Sequence, residues 1–507
     1  MSCTSRHRAT AVMAHDLSSN SAVSTRPSTP DSAAERLKNS SQDSFAHLNH
    51  FDSKSPFADS GNYPHIHYKT KIHPLRFKVR QWLLPYVRAE TPILASIQQK
   101  LRTPLIDFYF AYTANLASHT FYVLMLPLPI WFGYGNMTRD LVFMLGYGIY
   151  FSGFAKDFCC LPRPRSPPLH RITMSGYTAK EYGFPSSHAA NATAVSVFML
   201  NVILSNADKF ESNWTLAAAL ITLGLYYNSL IFGRIYCGMH GFSDLAVGSF
   251  IGLLCYFIRV WTGPYWDSLI LKGSGWYLVA SALTNYALIY YHVEPVDDCP
   301  CYDDSVAFIG VIIGLEFSQW VYSHSSLNVE GNGMSCIDIP YSFQQLGFVK
   351  SLLRVLLGVS CVAIWKEISK PLLFKIIKPF YSLLVSEPDK DATTFNRIRS
   401  DTMKKREKLA DVPELVKQIG KHEQQETVGP QSAIDERELE ELRENQAYFT
   451  ELDKMQRENV IFTCGVFKSR YDLSIIVRLI VYAGIPFCAV IIFPILTQIC
   501  GLAVELN

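Results

Sequence analysis

The chain has 507 residues, of which 49% are hydrophobic and only 18% are charged. Its formal net charge of +2 gives no reason to expect a nucleic-acid partner, and 12 cysteines over this length do not suggest a disulfide framework. The first 60 residues are polar and rich in serine, without an apolar core after a basic start, so we expect no cleavable signal peptide.

Two segments of different composition precede the first apolar run. Residues 1–68 are rich in Ser, Asp, Asn and His, which is typical of a disordered segment. Residues 69–103 are basic and carry Trp82 and Tyr86 among the cations. Such a segment lies at the cytoplasmic surface of a membrane, or else it is a solvated basic linker.

Apolar runs dominate the rest of the chain, and each approaches the ~20 residues that cross a bilayer as a helix. They cover residues 105–133, 139–156, 188–205, 214–232, 242–262, 274–292, 305–323, 350–367, 371–386 and 475–500. The sequence therefore predicts an all-α polytopic membrane protein, a transmembrane helix bundle with about 9–10 spans. Residues 387–472 are highly charged instead, and 431–458 within them have the pattern of a solvated helix.

Polar clusters stand at the ends of three spans, where a membrane protein keeps ionisable groups mainly for function. The first cluster contains Lys156 and, seven residues later, Arg163 between prolines. The two cations can converge on one anion, since Arg offers a planar fork to two phosphate oxygens and Lys a point charge. A snorkelling lysine followed by a stop-transfer arginine would give the same pattern.

The second cluster consists of Ser186, Ser187 and His188 and opens the run 188–205. A serine-rich helix N-terminus binds anions through its free N–H groups and the positive end of the helix dipole. An anion beside His188 would favour its protonated form, which can donate a proton to the leaving oxygen of a phosphate ester. Alternatively, Ser186 only caps the helix and His188 is interfacial.

The third cluster contains Arg234, His240 and Asp244 and opens the run 242–262. His240 and Asp244 are four residues apart, so on a helix they would share one face. The carboxylate would then hold one ring nitrogen as N–H and leave the other as an oriented nucleophile. A purely structural His–Asp pair is the alternative.

The three clusters are expected to meet on one membrane face. Two spans separate His188 from His240, and Lys156 ends the span before His188. Three cations, a serine-rich helix start and two histidines then lie at one depth, which predicts phosphoryl transfer by positioning and electrostatics. The sequence shows no carboxylate cluster suited to Mg²⁺ beside these motifs, so we expect neither a metal nor another cofactor.

Taken in order, the motifs resemble the three-part signature of the type 2 phosphatidic acid phosphatase and vanadium haloperoxidase superfamily. The residues that carry the resemblance are Lys156…Arg163-Pro164, Pro185-Ser186-x-His188 and Arg234…His240…Asp244. The resemblance covers residues 104–262 and has two departures. Ser187 stands where the signature usually has Gly, and Gly233 stands where it usually has Ser.

Within that superfamily the chain resembles the long-chain base-1-phosphate phosphatases and is similar to the fungal dihydrosphingosine-1-phosphate phosphatases of the endoplasmic reticulum. The closer match is carried by Arg163-Pro-Arg-Ser-Pro-Pro, Tyr236-Cys-Gly-Met-His240-Gly and Asp298-Cys-Pro-Cys-Tyr-Asp-Asp-Ser305. The resemblance implies a sphingoid-base 1-phosphate as the lipid phosphate substrate. The expected partners are this substrate and the surrounding membrane lipids, and the resemblance does not identify a protein partner.

The resemblance also implies a role for each motif residue. Phosphate would be bound by Lys156, Arg163 and Arg234, with help from Ser186 and the Ser187 N–H. His188 would protonate the leaving alkoxide. His240, oriented by Asp244, would form a phosphohistidine.

We therefore divide the chain into six parts. These are a disordered N-terminus (1–68), a basic interfacial segment (69–103), a catalytic helical core (104–262), further transmembrane helices (263–386), a charged cytoplasmic segment (387–472) and a last transmembrane helix with the C-terminus (473–507). Two other functions fit the same features: a phosphatase for phosphatidate or a polyprenyl diphosphate, and a non-catalytic membrane scaffold or lipid transporter. Both histidine positions are filled, which disfavours the scaffold.

The side of the membrane on which the site lies depends on the run 105–133. The basic residues 69–103 predict a cytoplasmic N-terminus. One pass through 105–133 would make the site cytoplasmic, whereas two short passes would make it lumenal. About 29 residues are short for two crossings of a ~30 Å core, which favours one helix. Against this, Pro127, Pro129 and the polar Asn115, Ser118 and His119 can break the run, and the resemblance implies a lumenal site. We therefore expect two short passes, a lumenal site, and a hairpin in 350–386 that returns the charged segment to the cytoplasm.

Overall fold

The computed structural model describes residues 60–63, 65–69, 71–174, 180–297, 299–328, 337–384 and 472–504, and these residues form helices joined by loops. The N-terminal helices are α1 (His65–Lys69), α2 (Pro74–Ala89), α3 (Thr91–Leu101), α4 (Pro104–Thr113), α5 (His119–Met125) and α6 (Leu128–Trp131). The helices of the bundle are α7 (Gly135–Cys159), α8 (Ser187–Ser205), α9 (Asn213–Tyr236), α10 (Phe242–Lys272), α11 (Gly275–Tyr290), α12 (Cys301–Ser323), α13 (Phe343–Leu384), α14 (Leu473–Phe487) and α15 (Phe493–Ile499). The all-α expectation is confirmed for this part of the chain.

Six helical segments are long and apolar enough to cross a membrane, which confirms a polytopic membrane protein. They are α8, α9, α10, α12, α13 and the continuous stretch Leu473–Ile499, which joins α14 and α15 through the π-helical turn Cys488–Ile492. Three further segments of the described chain connect the two ends of these helices, and we regard them as passes: α7, α11 and the chain from Pro104 to Trp131. We name the side at which α7 ends and α8 begins the motif face, and the other side the opposite face.

The first pass is made by short helical pieces. A 3-10 turn at Ala114–Ala117 follows α4, and α5 and α6 continue the same course. At the motif face, the Tyr236 hydroxyl donates to Asp107 in α4 at 2.5 Å. At the opposite face, the N–H of Ile130 in α6 donates to Thr138 at the start of α7 at 2.9 Å. The expectation of two short passes in 105–133 is therefore wrong: the polar and proline residues break the helix without reversing its direction.

The pass formed by α13 is a single helix, so the expected hairpin in 350–386 is also wrong. Its 42 residues are interrupted only near the start, where Gly347 has φ 62°. Arg354 donates to the Leu502 carbonyl at 2.9 Å, and Trp365 donates to the Val481 carbonyl at 2.9 Å, which gives α13 and α14 opposite directions. The chain therefore leaves the bundle after α13 at the motif face. Residues 387–470, including the predicted helix 431–458, lie outside the described residues.

Close packing between α8 and α10 brings the second and third motifs together. A Cβ at Gly248 would lie 2.3 Å from the Ser186 carbonyl oxygen, and one at Gly252 would lie 2.2 Å from the Ala190 carbonyl oxygen. Small residues four apart allow the backbones of transmembrane helices to approach this closely. Because the contact begins at Ser186, the N-terminal ends of α8 and α10 are held side by side at the motif face.

The segment before the first pass also lies at the motif face and is part of the fold. Tyr68 is fully buried, so the ordered chain begins before the boundary expected at residue 68. Arg80 in α2 is 1% exposed and donates to the carbonyls of Cys160 and Gly61, which closes the C-terminal end of α7. Trp82 on the other side of α2 is 66% exposed. A packed helix with outward aromatic residues fits the interfacial alternative for 69–103 and contradicts the solvated linker.

Candidate active site

The motif residues converge at the motif face because each one stands where a helix begins or ends. Lys156 lies in the last turn of α7, Arg234 in the last turn of α9, and His188 in the first turn of α8. Two loops complete the site. The α7–α8 loop supplies Arg163 and the α9–α10 loop supplies His240.

The hydrogen bonds around His240 determine its tautomer. Its Nδ1 lies 2.8 Å from the Gly183 carbonyl oxygen, and its Nε2 lies 3.2 Å from Nη1 of Arg163. A carbonyl can only accept and a guanidinium can only donate, so the proton is on Nδ1 and the lone pair is on Nε2. Nε2 is therefore the nitrogen able to attack an electrophile, and Arg163 marks the side from which the electrophile arrives.

Asp244 contributes to this arrangement differently from the sequence expectation. His240 precedes α10, whose N-cap is Gly241, so the two residues do not share one helix face. Asp244 Oδ2 accepts from the Gly241 N–H at 2.8 Å and lies 3.6 Å from His240 Nδ1, beyond hydrogen-bond distance. The Gly183 carbonyl thus orients the ring, while the Asp244 carboxyl group caps α10 through the Gly241 N–H.

Burial and neighbouring cations keep His240 in its neutral form. The side chain is 1% exposed. Burial, followed by the charges of Arg163 and Lys156, holds the pKa of His240 well below its ordinary value. At neutral pH the nucleophilic nitrogen is consequently unprotonated without the help of a separate base.

Three buried cations surround this nitrogen. Lys156, Arg163 and Arg234 are 1%, 4% and 5% exposed, respectively. Arg163 is held by the carbonyls of Met239 and Glu181 at 2.8 and 3.1 Å. Among the residues that the structure describes, Arg234 Nε has no hydrogen-bond partner although it is buried. A buried guanidinium N–H without a protein acceptor is a donor available to an anion.

Glu181, which the sequence analysis did not single out, belongs to the same cluster. Its carboxylate forms an ion pair with Lys156 and lies 3.8 Å from Nη2 of Arg163. The side chain is almost completely buried. The sequence indicates its importance only by its position two residues before Gly183, the residue whose carbonyl orients His240.

The second motif forms the start of α8 as predicted, with the roles divided among its residues. Ser186 Oγ accepts from the Ala189 N–H at 3.3 Å, and the Ser186 N–H donates to the Asp244 carbonyl at 3.0 Å. Ser186 is therefore used for capping and for joining α8 to α10. Ser187 and His188 are half-buried, and the N–H groups of this first turn have no acceptor within the helix.

Sequence comparison agrees with this geometry. Residues 138–267, which contain all three motifs, match the model of the PAP2 superfamily. Dihydrosphingosine 1-phosphate phosphatase YSR3 of Saccharomyces cerevisiae is 42% identical over 326 residues, which are 64% of this chain and 78% of that protein. The chain belongs to the PAP2 superfamily. The resemblance carried by the three motifs is thereby confirmed.

Other relatives are more distant. Dihydrosphingosine 1-phosphate phosphatase C823.11 of Schizosaccharomyces pombe is 36% identical over 330 residues, covering 65% of this chain and 78% of that protein. Lipid phosphate phosphatase delta of Arabidopsis thaliana is 29% identical over 310 residues, covering 59% of this chain and 70% of that protein. No solved structure matches the chain.

One of the two departures from the PAP2 signature has a steric explanation. A Cβ at Gly233 would lie 2.9 Å from the ring of Phe110, which α4 places against the end of α9. The aromatic ring occupies the space that a serine side chain would need. The other departure, Ser187, stands in the first turn of α8, where any residue supplies a backbone N–H.

The N-terminal segment supports the site through contacts that the sequence analysis did not predict. Gln98 donates to the carbonyls of His170 and Tyr236, both at 2.8 Å, and so joins the α7–α8 loop to the C-terminal end of α9. Glu90 accepts from the Ser243 N–H at 3.0 Å at the start of α10. An interfacial composition gives no indication of such specific contacts, because a single Gln or Glu in a basic segment is ordinary.

One group of potential metal ligands occurs among the described residues. Ligand atoms of Asp157, Cys299 and Cys301 lie within 4.8 Å of one another, and the two cysteines are joined as a disulfide. None of these three side chains forms a described hydrogen bond with His240, Lys156, Arg163 or Arg234. Asp157 is nevertheless the sequence neighbour of Lys156.

Proposed function

We propose that this PAP2 protein is a lipid phosphatase that hydrolyses long-chain base 1-phosphates through a phosphohistidine at His240. The observation that carries the proposal is the pairing of an unprotonated Nε2 on His240 with a buried, unpartnered Nε on Arg234 among the described residues. The first is a nucleophile and the second is a donor for an anion. Lys156 and Arg163 add two further positive charges at the same place.

The first chemical step transfers the phosphoryl group. Nε2 of His240 attacks phosphorus, the bond from phosphorus to the ester oxygen breaks, and its electron pair stays with the leaving oxygen. Protonated His188 donates its proton to that oxygen and releases the lipid alcohol. The three cations stabilise the charge on the phosphoryl oxygens, while the Gly183 carbonyl and the Asp244 carboxylate support the positive imidazole ring.

The second step hydrolyses the intermediate. Neutral His188 accepts a proton from water, the water oxygen attacks phosphorus, and the bond to Nε2 breaks. Inorganic phosphate leaves, and both histidines return to their starting protonation states. His188 lies at the start of α8 and His240 just before the start of the neighbouring α10. His188 can therefore act as the acid in the first step and as the base in the second.

The substrate assignment rests on the relatives. Two fungal relatives are named dihydrosphingosine 1-phosphate phosphatases. We therefore propose a single-chain lipid phosphate bearing an amine, in sphingolipid metabolism, in preference to phosphatidate or a polyprenyl diphosphate. Purified protein should give a higher kcat/KM on dihydrosphingosine 1-phosphate than on phosphatidate in matched micelles, and equal or better phosphatidate hydrolysis would contradict this assignment.

Metal independence follows from the composition of the site. The charges that neutralise the phosphoryl group come from side chains, so activity should persist in EDTA. Vanadate should inhibit, because its five-coordinate form resembles the geometry of phosphoryl transfer. The measurement is the initial rate after chelation and dialysis, with and without Mg²⁺. Loss of activity that Mg²⁺ restores would exclude the site as described.

We further propose that the enzyme resides in the endoplasmic reticulum membrane, with the site lumenal, as the resemblance implies. Because residues 104–131 make one pass, the site and the basic segment 69–103 share a face. A lumenal site therefore requires the basic segment to be lumenal too, against the usual bias of Lys and Arg toward the cytoplasm. The end of α13 and the start of α14, which flank residues 387–472, would then be lumenal as well, whereas the sequence analysis expected 387–472 to be cytoplasmic.

Glycosylation acceptors can test this orientation. An acceptor inserted between Arg171 and Glu181 and another inserted ahead of Ser60 should both receive glycan, whereas one placed after Asp208 should not. Glycan after Asp208 alone, or on the native sequons at Asn136 and Asn213 of the opposite face, would place the site in the cytoplasm. Different behaviour of the first two acceptors would instead contradict the single pass through 104–131.

A further inference from the structure

Glu181 occupies an unusual position for a carboxylate in a phosphate site. It forms an ion pair with Lys156, and its Oε2 lies 3.8 Å from Nη2 of Arg163, whose Nη1 is 3.2 Å from the nucleophilic nitrogen. A carboxylate so close to a bound phosphate dianion repels it. In a site that only bound phosphate, a neutral residue at position 181 would avoid this repulsion.

Glu181 and a bound phosphate compete for the same cation. Lys156, Arg163 and Arg234 supply three positive charges, which a phosphate dianion and the Glu181 carboxylate together offset, but Lys156 already pairs with Glu181. Glu181 then faces an anion that competes with it for Lys156. A positive group on the substrate near the phosphate would give the displaced carboxylate a new partner and remove the repulsion.

A long-chain base 1-phosphate has such a group. Its ammonium is attached to the carbon next to the one that bears the phosphate ester, so phosphate and ammonium enter the site together. Phosphatidate and N-acylated sphingoid phosphates present no cation at that position. Glu181 therefore distinguishes the two classes by attraction to one and repulsion of the other.

We propose that Glu181 binds the substrate ammonium and is the residue that makes this enzyme selective for amine-bearing lipid phosphates. The proposal rests on the phosphatase function proposed above. The contact is a charge-assisted hydrogen bond inside a buried site, where such bonds are strong. The ion pair with Lys156 is the substrate-free arrangement, and phosphate binding at Lys156 releases the carboxylate.

The experiment compares two substrates that differ only at nitrogen: dihydrosphingosine 1-phosphate and its N-acetyl derivative. For the wild type, kcat/KM should favour the free amine. Glu181→Gln should lower kcat/KM on the free amine about 10- to 100-fold, the effect of losing one charge-assisted hydrogen bond. The same variant should turn over the N-acetyl substrate at least as well as the wild type. Glu211→Gln, an exposed residue of the opposite face, is the matched control.

The outcomes separate the possible failures. If Glu181→Gln loses kcat/KM equally on both substrates, Glu181 only positions Lys156. If the variant keeps the wild-type preference for the free amine without such a loss, the ammonium is bound elsewhere. Either result overturns the proposal. A wild type that hydrolyses neither substrate would contradict the phosphatase function itself. If Glu181→Gln does not fold, the wild type still provides a test, because its preference should decline at alkaline pH as the substrate amine loses its proton. A preference that does not change with pH would count against Glu181.

Discussion

Replacing His240 by alanine is expected to abolish both turnover and the covalent phosphoenzyme. Nε2 of this residue carries the lone pair and lies next to Arg163. The ring is oriented by the hydrogen bond from its Nδ1 to the Gly183 carbonyl oxygen at 2.8 Å. Removing a nucleophile that acts within an organised group of residues costs at least about 10⁴-fold in kcat. The measurement is steady-state hydrolysis together with acid-quenched trapping of phosphate from a labelled substrate.

A matched control lies on the same face. His170 is exposed in the α7–α8 loop, and only its backbone contacts Gln98. His170→Ala should retain turnover and a trappable phosphoenzyme. If label is still trapped on His240→Ala, the nucleophile is a different residue. If His170→Ala loses activity to the same extent, the effect of the first variant comes from damage to the loop.

Replacing His188 by alanine is expected to slow hydrolysis of the lipid substrate by about 10²- to 10⁴-fold, the usual contribution of a general acid. The residue lies half-buried in the first turn of α8, among N–H groups that have no acceptor within the helix. An alkoxide is a poor leaving group and needs its proton. An aryl phosphate leaves as a stabilised phenolate and needs much less assistance.

The leaving group therefore distinguishes acid catalysis from a structural role. Phosphoenzyme formation by His188→Ala should be strongly impaired with the lipid substrate and only weakly impaired with p-nitrophenyl phosphate. With the N-acetyl substrate, whose nitrogen does not titrate, the dependence of kcat/KM on alkaline pH reports deprotonation of the acid and should also disappear in the variant. Equal impairment with both substrates would assign His188 to phosphate binding, and wild-type rates would remove it from the mechanism.

The sequence was sufficient to predict the spans that carry the motifs and the meeting of the motifs on one face. Helices α7, α8 and α9 begin and end within a few residues of the predicted limits, because long apolar runs and polar termini define them; α10 begins at the predicted residue but continues to Lys272, ten residues past the predicted end. The position of Lys156, Arg163, Arg234 and His240 at one depth follows from the number of helices between them. These conclusions depend only on the chain order and the length of a membrane-spanning helix.

The remaining features depend on contacts that local patterns do not encode. Proline and polar residues in 105–133 indicate a break in the helix but not the direction of the chain after it. The orientation of His240 depends on the backbone carbonyl of Gly183, and every residue has such a carbonyl. Glu181 is distinguished from other glutamates only by the three-dimensional path of the α7–α8 loop, which brings it to Lys156.

The anchoring of the N-terminal segment constrains how the enzyme is made. Asp297 accepts hydrogen bonds from the Gly61 N–H at 2.8 Å, from His67 at 2.9 Å and from the Tyr68 hydroxyl at 2.6 Å. These partners are synthesised more than 200 residues before Asp297. Most of the bundle is therefore inserted before their hydrogen bonds to Asp297 can form. All three motifs have left the ribosome by then. A nascent chain that already contains every proposed catalytic residue therefore still lacks the hydrogen bonds from Asp297 to Gly61, His67 and Tyr68, and we expect the start of the N-terminal segment to be fixed in place only late in biogenesis.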